Sequence, residues 1–264
     1  MNYALVTGGS SGMGLEYVKQ LAEKGYNVII VALFQNETDA AKELVLKDYP
    51  NVDVLSVGMD LSSMDAPLEL YKKVKSERPD AFVEVLINNA GILYPKHFKN
   101  MTDPQVSRII MLHNHTTAML CHYFLPDMLE RKRGYILNIS SLAAEFQYPF
   151  ISLYAATKSF TKVFTRALRT ELKGSGVVAS SIYFGAVSTP LYNLSDNLRK
   201  LAINLGVMIT PKKASRVALK MLFKGRSGKT PGLINKIALF VAMILPHSVV
   251  AMIDKFVTRK WNLD

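Results

Sequence analysis

The sequence predicts an α/β chain: one doubly wound parallel sheet with helices on both faces. Two observations carry this. Over residues 2–24 an apolar, β-prone run is followed by a glycine-rich turn and then an amphipathic helical pattern. Down to residue 185, further apolar runs alternate with helical patterns, and they read as continuous apolar stretches. Strands of that kind suit a parallel sheet buried on both faces. Right-handed crossovers then bring the C-terminal ends of all strands to one edge.

The elements follow in order. Residues 2–7 (NYALVT) are the first strand and residues 8–14 (GGSSGMG) the turn. Leu15, Val18, Leu21 and Ala22 recur at helical spacing up to the stop at Lys24-Gly25. A glycine turn between strand and helix lets backbone N–H groups approach phosphate oxygens, and the helix N-terminus favours negative charge. The fold is therefore expected to be Rossmann-like and to bind a dinucleotide.

Residues 27–33 form the next strand. A carboxylate at its end would take the ribose hydroxyls of NAD and repel the extra phosphate of NADP. Ala32, Leu33 and Phe34 stand there instead. The missing acid mildly favours NADP, the missing base weakens that lean, and NADP or NAD both stay open. A polar helix near 37–47 and a strand at 52–57 lead to Asp60. This carboxylate could accept from an adenine amino group, or cap the following helix. The strand at 83–87 ends in Asn88-Asn89-Ala90-Gly91, which reads as a cofactor-lining turn or as ordinary turn chemistry.

Residues 103–133 read as helical, broken or bent near Pro126. His113 and His115 flank Asn114 on different helix faces, and the histidines form no metal constellation. A strand at 134–140 ends at Ser141. The helix at 154–172 carries an apolar side of Phe160, Val163, Phe164, Ala167 and Leu168, expected in the core or at a subunit interface. A last strand spans 177–184. Residues 186–264 are expected to be a substrate lid followed by an apolar, basic extension. Within them, 211–224 is amphipathic and 237–245 is an apolar run too short and broken for a membrane span.

Charge is divided unevenly. Lys+Arg outnumber Asp+Glu by 32 to 21, and residues 199–264 hold only Asp254 and Asp264 against thirteen bases. This basic part is expected to meet something anionic, and peripheral contact with an anionic membrane through 211–261 is the favoured form. Nucleic-acid binding is not expected, since the tail carries no recognisable module. Cys121 is the single cysteine, which excludes an internal disulfide. No secretory signal opens the chain, and the expected location is cytoplasmic, with or without peripheral membrane attachment.

The chemistry concentrates in residues 141–158. Tyr154 and Lys158, four apart on a helix, share one face. An ammonium beside a phenol favours the phenolate, so the tyrosine exchanges a proton nearer neutral pH than the reference of about 10.

Together, Thr7-Gly8-x-x-x-Gly12-x-Gly14, Asp60, Asn88-Asn89-Ala90-Gly91, Asn114, Ser141, Tyr154 and Lys158 resemble the short-chain dehydrogenase/reductase family, from residue 3 to about 190. The segments 133–141 and 183–190 resemble its hydroxysteroid dehydrogenase and very-long-chain 3-oxoacyl-CoA reductase branch. The resemblance implies an NAD(P)-dependent oxidoreductase acting on a hydrophobic ketone or secondary alcohol. In that role Tyr154 is the general acid, Lys158 lowers its pKa and holds the nicotinamide ribose, Ser141 bonds the substrate carbonyl, and Asn114 holds a water. The resemblance further implies cofactor contacts from Gly8, Ser10, Ser11, Gly12, Met13, Gly14, Asp60, Leu61, Asn88, Ala90, Gly91, Tyr154, Lys158, Val187 and Thr189. It also implies a homo-oligomer built on the helices near 116–129 and 154–172. A non-catalytic dinucleotide-sensing or membrane-docking protein on the same fold is the alternative, and the intact Asn-Ser-Tyr-Lys set argues against it. Phe184-Gly185 replaces the family's usual Pro-Gly. Membrane-bound relatives carry an N-terminal anchor that this sequence does not show, so any attachment is expected from the C-terminal part.

Overall fold

The computed structural model describes residues 1–145, 149–189, 195–228, 230, 246, 248–252 and 254–255. Six parallel strands form the central sheet: β1 (Asn2–Thr7), β2 (Asn27–Ala32), β3 (Val54–Gly58), β4 (Phe82–Asn88), β5 (Gly134–Ser141) and β6 (Val177–Phe184), in the order β3-β2-β1-β4-β5-β6. The chain winds outward from β1 and then, beyond β4, in the other direction. The switch between β1 and β4 opens a crevice at their C-terminal ends, where this class of sheet binds ligands. Strand residues are buried almost throughout, as parallel strands covered on both faces require.

Helices α1 (Gly12–Ala22), α2 (Gln35–Asp48), α3 (Ala66–Glu77), α4 (Asp103–Ile110), α5 (Thr116–Glu130) and α6 (Ser152–Glu171) connect these strands. Two apolar clusters divide the sheet's faces. One gathers Leu5, Ile29, Leu86 and Ile136 with Leu70 of α3 and Phe124 of α5. The other gathers Val6, Ile30, Ile87 and Leu137 with Val18 of α1 and Ala218 of α8 (Pro211–Phe223). Beyond β6, a two-residue strand β7 (Ala186–Val187) pairs with β8 (Met208–Ile209), and α7 (Asp196–Asn204) lies between them in the chain.

One expectation needs correction. The long helical stretch is not interrupted at Pro126, and α5 runs through it. The irregularity is a π-helical turn at Met111–His115, which carries Asn114. Pro126 is exposed, so the carbonyl left without its donor can bond water. On α6, the side expected in the core or at a subunit interface divides: Leu168 and Phe164 pack inward and the rest faces outward. Phe160 and Val163 are exposed, Leu168 is buried, and Thr157, Thr161 and Thr165 fill much of the face toward the sheet. Each threonine hydroxyl bonds a carbonyl of its own helix, at Tyr154, Thr157 and Thr161 respectively, so burial leaves none without a partner.

No helix among the described residues is long and apolar enough to cross a membrane. The apolar run at 237–245, with Lys236, Arg259, Lys260 and Trp261, lies outside the described residues.

Candidate active site

The β1–α1 turn builds one end of a cleft of about 400 Å³. Gly8 adopts a left-handed φ of 64°. A Cβ on Gly14 would stand 1.8 Å from the Gly8 carbonyl oxygen, so the loop closes only with glycine there. Ser11 caps α1 without a side-chain bond to the first-turn N–H groups. Those donors face the cleft's glycine end, a ready anion site. A dinucleotide pyrophosphate fits this donor set.

Thr7, at the end of β1, holds the neighbouring turn. Its hydroxyl accepts from the N–H groups of Asn89 and Ala90, both at 3.0 Å, while the Asn89 amide donates to the carbonyls of Thr7 and Gly8. The turn after β4 is thus bonded onto the glycine turn, and both border the same cleft.

The far end comes from β5 and α6. Ser141, Tyr154 and Lys158 line the cleft together with Gly8, Ser11, Gly12, Met13, Gly14, Ala90, Gly91, Val187 and Thr189. Tyr154 and Lys158 are 9% and 7% exposed, and the Lys158 ammonium lies 5.7 Å from the centre of the Tyr154 ring. Lys158 Nζ donates to the Ile139 carbonyl at 2.9 Å. Burial pushes its pKa down to about 8. The Ser141 hydroxyl accepts from the Ala143 N–H at 3.2 Å, which leaves its own proton to donate. Around Tyr154, Ile92, Leu93, Tyr94, Met101, Ile151 and Leu153 form a partly buried apolar wall.

Other residues from the sequence reading lie off this lining. The Asn88 amide donates to Asn138 Oδ1 at 2.8 Å, pointing along the sheet. Leu61 is core. Asp60 accepts from Ser62 N–H and Oγ–H and from Arg108, and the helix after it is capped by Asp65, so the capping alternative for Asp60 does not hold. Ser10 donates to Glu37 Oε2 at 3.2 Å. Asn114 Oδ1 is buried with no hydrogen-bond partner among the described residues. The π turn around it frees backbone groups from the regular ladder, an arrangement frequent at functional sites.

Sequence reasoning missed two further groups. Glu37, in the first turn of α2, brings a carboxylate to the glycine turn, and a reading confined to the end of β2 stopped short of it. Ile139 acts through a backbone carbonyl, which no residue type can signal.

A family model described as short chain dehydrogenase matches residues 2–198. The very-long-chain 3-oxoacyl-CoA reductase of Bos taurus is 30% identical over 193 residues, covering 72% of this chain and 60% of its own length. The chain thus spans about 60% of the length of such curated relatives. Among solved structures, the short-chain dehydrogenase from Sphingobium yanoikuyae in complex with NADPH aligns with a TM-score of 0.78 at 22% identity, over 94% of this chain and 98% of its own. A structure from work on 7beta-hydroxysteroid dehydrogenase stereoselectivity aligns with a TM-score of 0.84 at 20% identity, over 96% of both chains. These two share the fold. With the family model covering most of the chain and the glycine turn, Ser141, Tyr154 and Lys158 meeting in one cleft, the chain belongs to the short-chain dehydrogenase family.

Proposed function

We propose that this protein is an NAD(P)-dependent oxidoreductase that interconverts a ketone and a secondary alcohol on a hydrophobic substrate, with Tyr154 as general acid and base. The observation that carries the reading is the convergence of Tyr154, Lys158 and Ser141 with the glycine turn on one cleft. When bound, the dinucleotide supplies hydride to the carbonyl carbon or takes it from the alcohol. Gly8, Ser11, Gly12, Met13 and Gly14 would hold its phosphates, with Ala90, Gly91, Val187 and Thr189 along its length. Ser10, Asp60, Leu61 and Asn88 remain proposed contacts through neighbouring backbone or through the adenosine end.

The chain's own residues handle the oxygen. During reduction, negative charge grows on it, and hydroxyls of Ser141 and Tyr154 donate to it. Tyr154 gives up its proton, and the Lys158 ammonium offsets the charge left on the phenolate. In oxidation the phenolate takes the alcohol proton instead. Asn114 would hold a water by which Lys158 exchanges protons with solvent.

The apolar wall around Tyr154 supports a hydrophobic substrate, of 3-oxoacyl, steroid or sphingoid type. The similarity to 3-oxoacyl-CoA reductases supports the first of these. The lid is proposed to comprise residues from 186 onward, and the catalytic core residues 1–185. For the cofactor, two indications oppose each other. NADPH accompanies a protein of the same fold, whereas the Glu37 carboxylate at Ser10 would repel a 2′-phosphate. We also propose self-association through the outer faces of α5 and α6, and contact between the basic face of α8 and an anionic membrane.

The direct experiment follows NADH and NADPH oxidation across 3-oxoacyl, steroid and sphingoid ketones. Turnover with at least one hydrophobic ketone is expected. Glu37→Gln should raise kcat/KM for NADPH relative to NADH. Dinucleotide binding without turnover on any of them would contradict the reading and favour a sensor.

A further inference from the structure

One buried polar side chain beside the cleft has no part in the chemistry above. His113, in the π turn, is 2% exposed. Its ring meets the Tyr154 ring edge-on, with centroids 5.7 Å apart and planes at 77°. Both nitrogens are engaged. The Ile92 N–H donates to Nε2 at 3.0 Å, and Nδ1 lies 2.8 Å from Thr157 Oγ1. The Thr157 hydroxyl in turn bonds the Tyr154 carbonyl at 2.8 Å.

A backbone N–H can only donate, so Nε2 accepts and the ring proton sits on Nδ1. Nδ1–H then donates to Thr157 Oγ1, whose own proton goes to the Tyr154 carbonyl. One donor order satisfies every bond. Adding a proton to Nε2 would break the Ile92 bond and place a second cation near Lys158. Burial and the Lys158 ammonium accordingly hold the imidazole pKa well below its ordinary value. The titratable groups facing the ring are Tyr154 and Lys158, both on α6. The turn after β4 presents its backbone, through the Ile92 N–H.

The contact also has a steric side. A Cβ on Gly91 would come within 3.2 Å of His113 Nε2 and 3.8 Å of Lys158 Nζ. The turn after β4 is therefore seated directly between the imidazole and the ammonium.

We propose that His113 is a positioning residue: protonated only at Nδ1, it fastens the turn after β4 to α6 and so fixes Tyr154 and Lys158 against the cleft. The proposal rests on reading that pair as the acid–base machinery. It differs from a purely structural role, because it demands one tautomer and a loss in kcat at unchanged fold.

Two measurements test it. In 15N-histidine-labelled protein, His113 should show a protonated Nδ1 and a bare Nε2, unchanged from about pH 6 to about pH 8. A proton on Nε2, or titration within that window, overturns the proposal without reference to activity. In kinetics, His113→Phe should lower kcat about a hundredfold, the scale of a misplaced catalytic group, with little change in substrate KM. His113→Gln, whose amide oxygen can still accept from Ile92, should recover part of that loss. His113→Phe with kcat within about twofold of the parent overturns the proposal. Thermal unfolding identifies a variant that fails to fold, and the tautomer of the parent protein then decides. A parent protein that turns over no ketone would instead sink the functional reading and leave the tautomer test standing.

Discussion

At the scale of residues, Lys158 shows how burial and function pull in opposite directions. Its ammonium donates to the Ile139 carbonyl, but burial pushes its pKa to about 8 from an ordinary value of 10.5. Between about pH 8 and about pH 10.5 the unfolded chain therefore binds more protons there than the folded one, and stability rises with pH across that window. The full rise is ~3 kcal/mol for this one group. Denaturant unfolding of the cofactor-free protein should show it relative to Lys158→Met, in which it should vanish. A flat difference between the two proteins would mean the amine is solvated. The proposed pair Tyr154 and Lys158 could be named from the sequence because side-chain types four apart on a helix share one face. His113 could not, because its partners are a backbone N–H 21 residues away and a hydroxyl 44 residues away. Its separation from His115 was readable, and His115 indeed bonds elsewhere, to the Met64 carbonyl.

At the scale of elements, strands and the glycine turn follow from composition, since continuous apolar runs have one stable home in a parallel sheet. Helix faces were harder to assign. The inner face of α6 is rich in threonine, which hydropathy alone reads as surface, while the stripe with Phe160 and Val163 reads equally as core or as subunit interface. The π turn was equally hidden, for no residue at 111–115 breaks a helix, whereas Pro126 suggested a break that did not occur. On α8 the amphipathic pattern was clear. Ala214, Ala218 and Leu222 pack inward, and Lys212, Lys213, Arg216, Lys220 and Lys224 are exposed, joined just beyond by Arg226. None of these bases has an acidic partner among the described residues. Bases near an anionic bilayer contribute about 1 kcal/mol each. Replacing Lys212, Arg216 and Lys220 by Gln should then weaken binding to phosphatidylserine-containing vesicles by about 3 kcal/mol, and added salt should weaken the parent's binding. Co-sedimentation that is absent at low salt, or equal on neutral vesicles, would remove the membrane from the account.

At the scale of the whole molecule, the ends of β1, β4 and β5 meet α6 at one cleft, and the outer face of α6 is exposed. Phe160 and Phe164 stack at 5.7 Å beside Val163, which is 64% exposed. An apolar stripe of this kind on a surface helix suits an interface between copies of the chain. Light scattering should report an oligomer whose dissociation Val163→Glu promotes; a monomer at all concentrations would count against it. Segments 190–194 and 231–245, where the lid and apolar extension were expected, lie outside the described residues. The central claim is that one buried phenol, set beside an ammonium at the sheet's edge, moves the proton in carbonyl reduction. Its most direct test measures dinucleotide affinity and turnover side by side in Tyr154→Phe. Affinity is expected within a few-fold of the parent, with kcat lower by about 10²- to 10⁴-fold, the range for removing a general acid. Undiminished turnover in that variant would contradict the account.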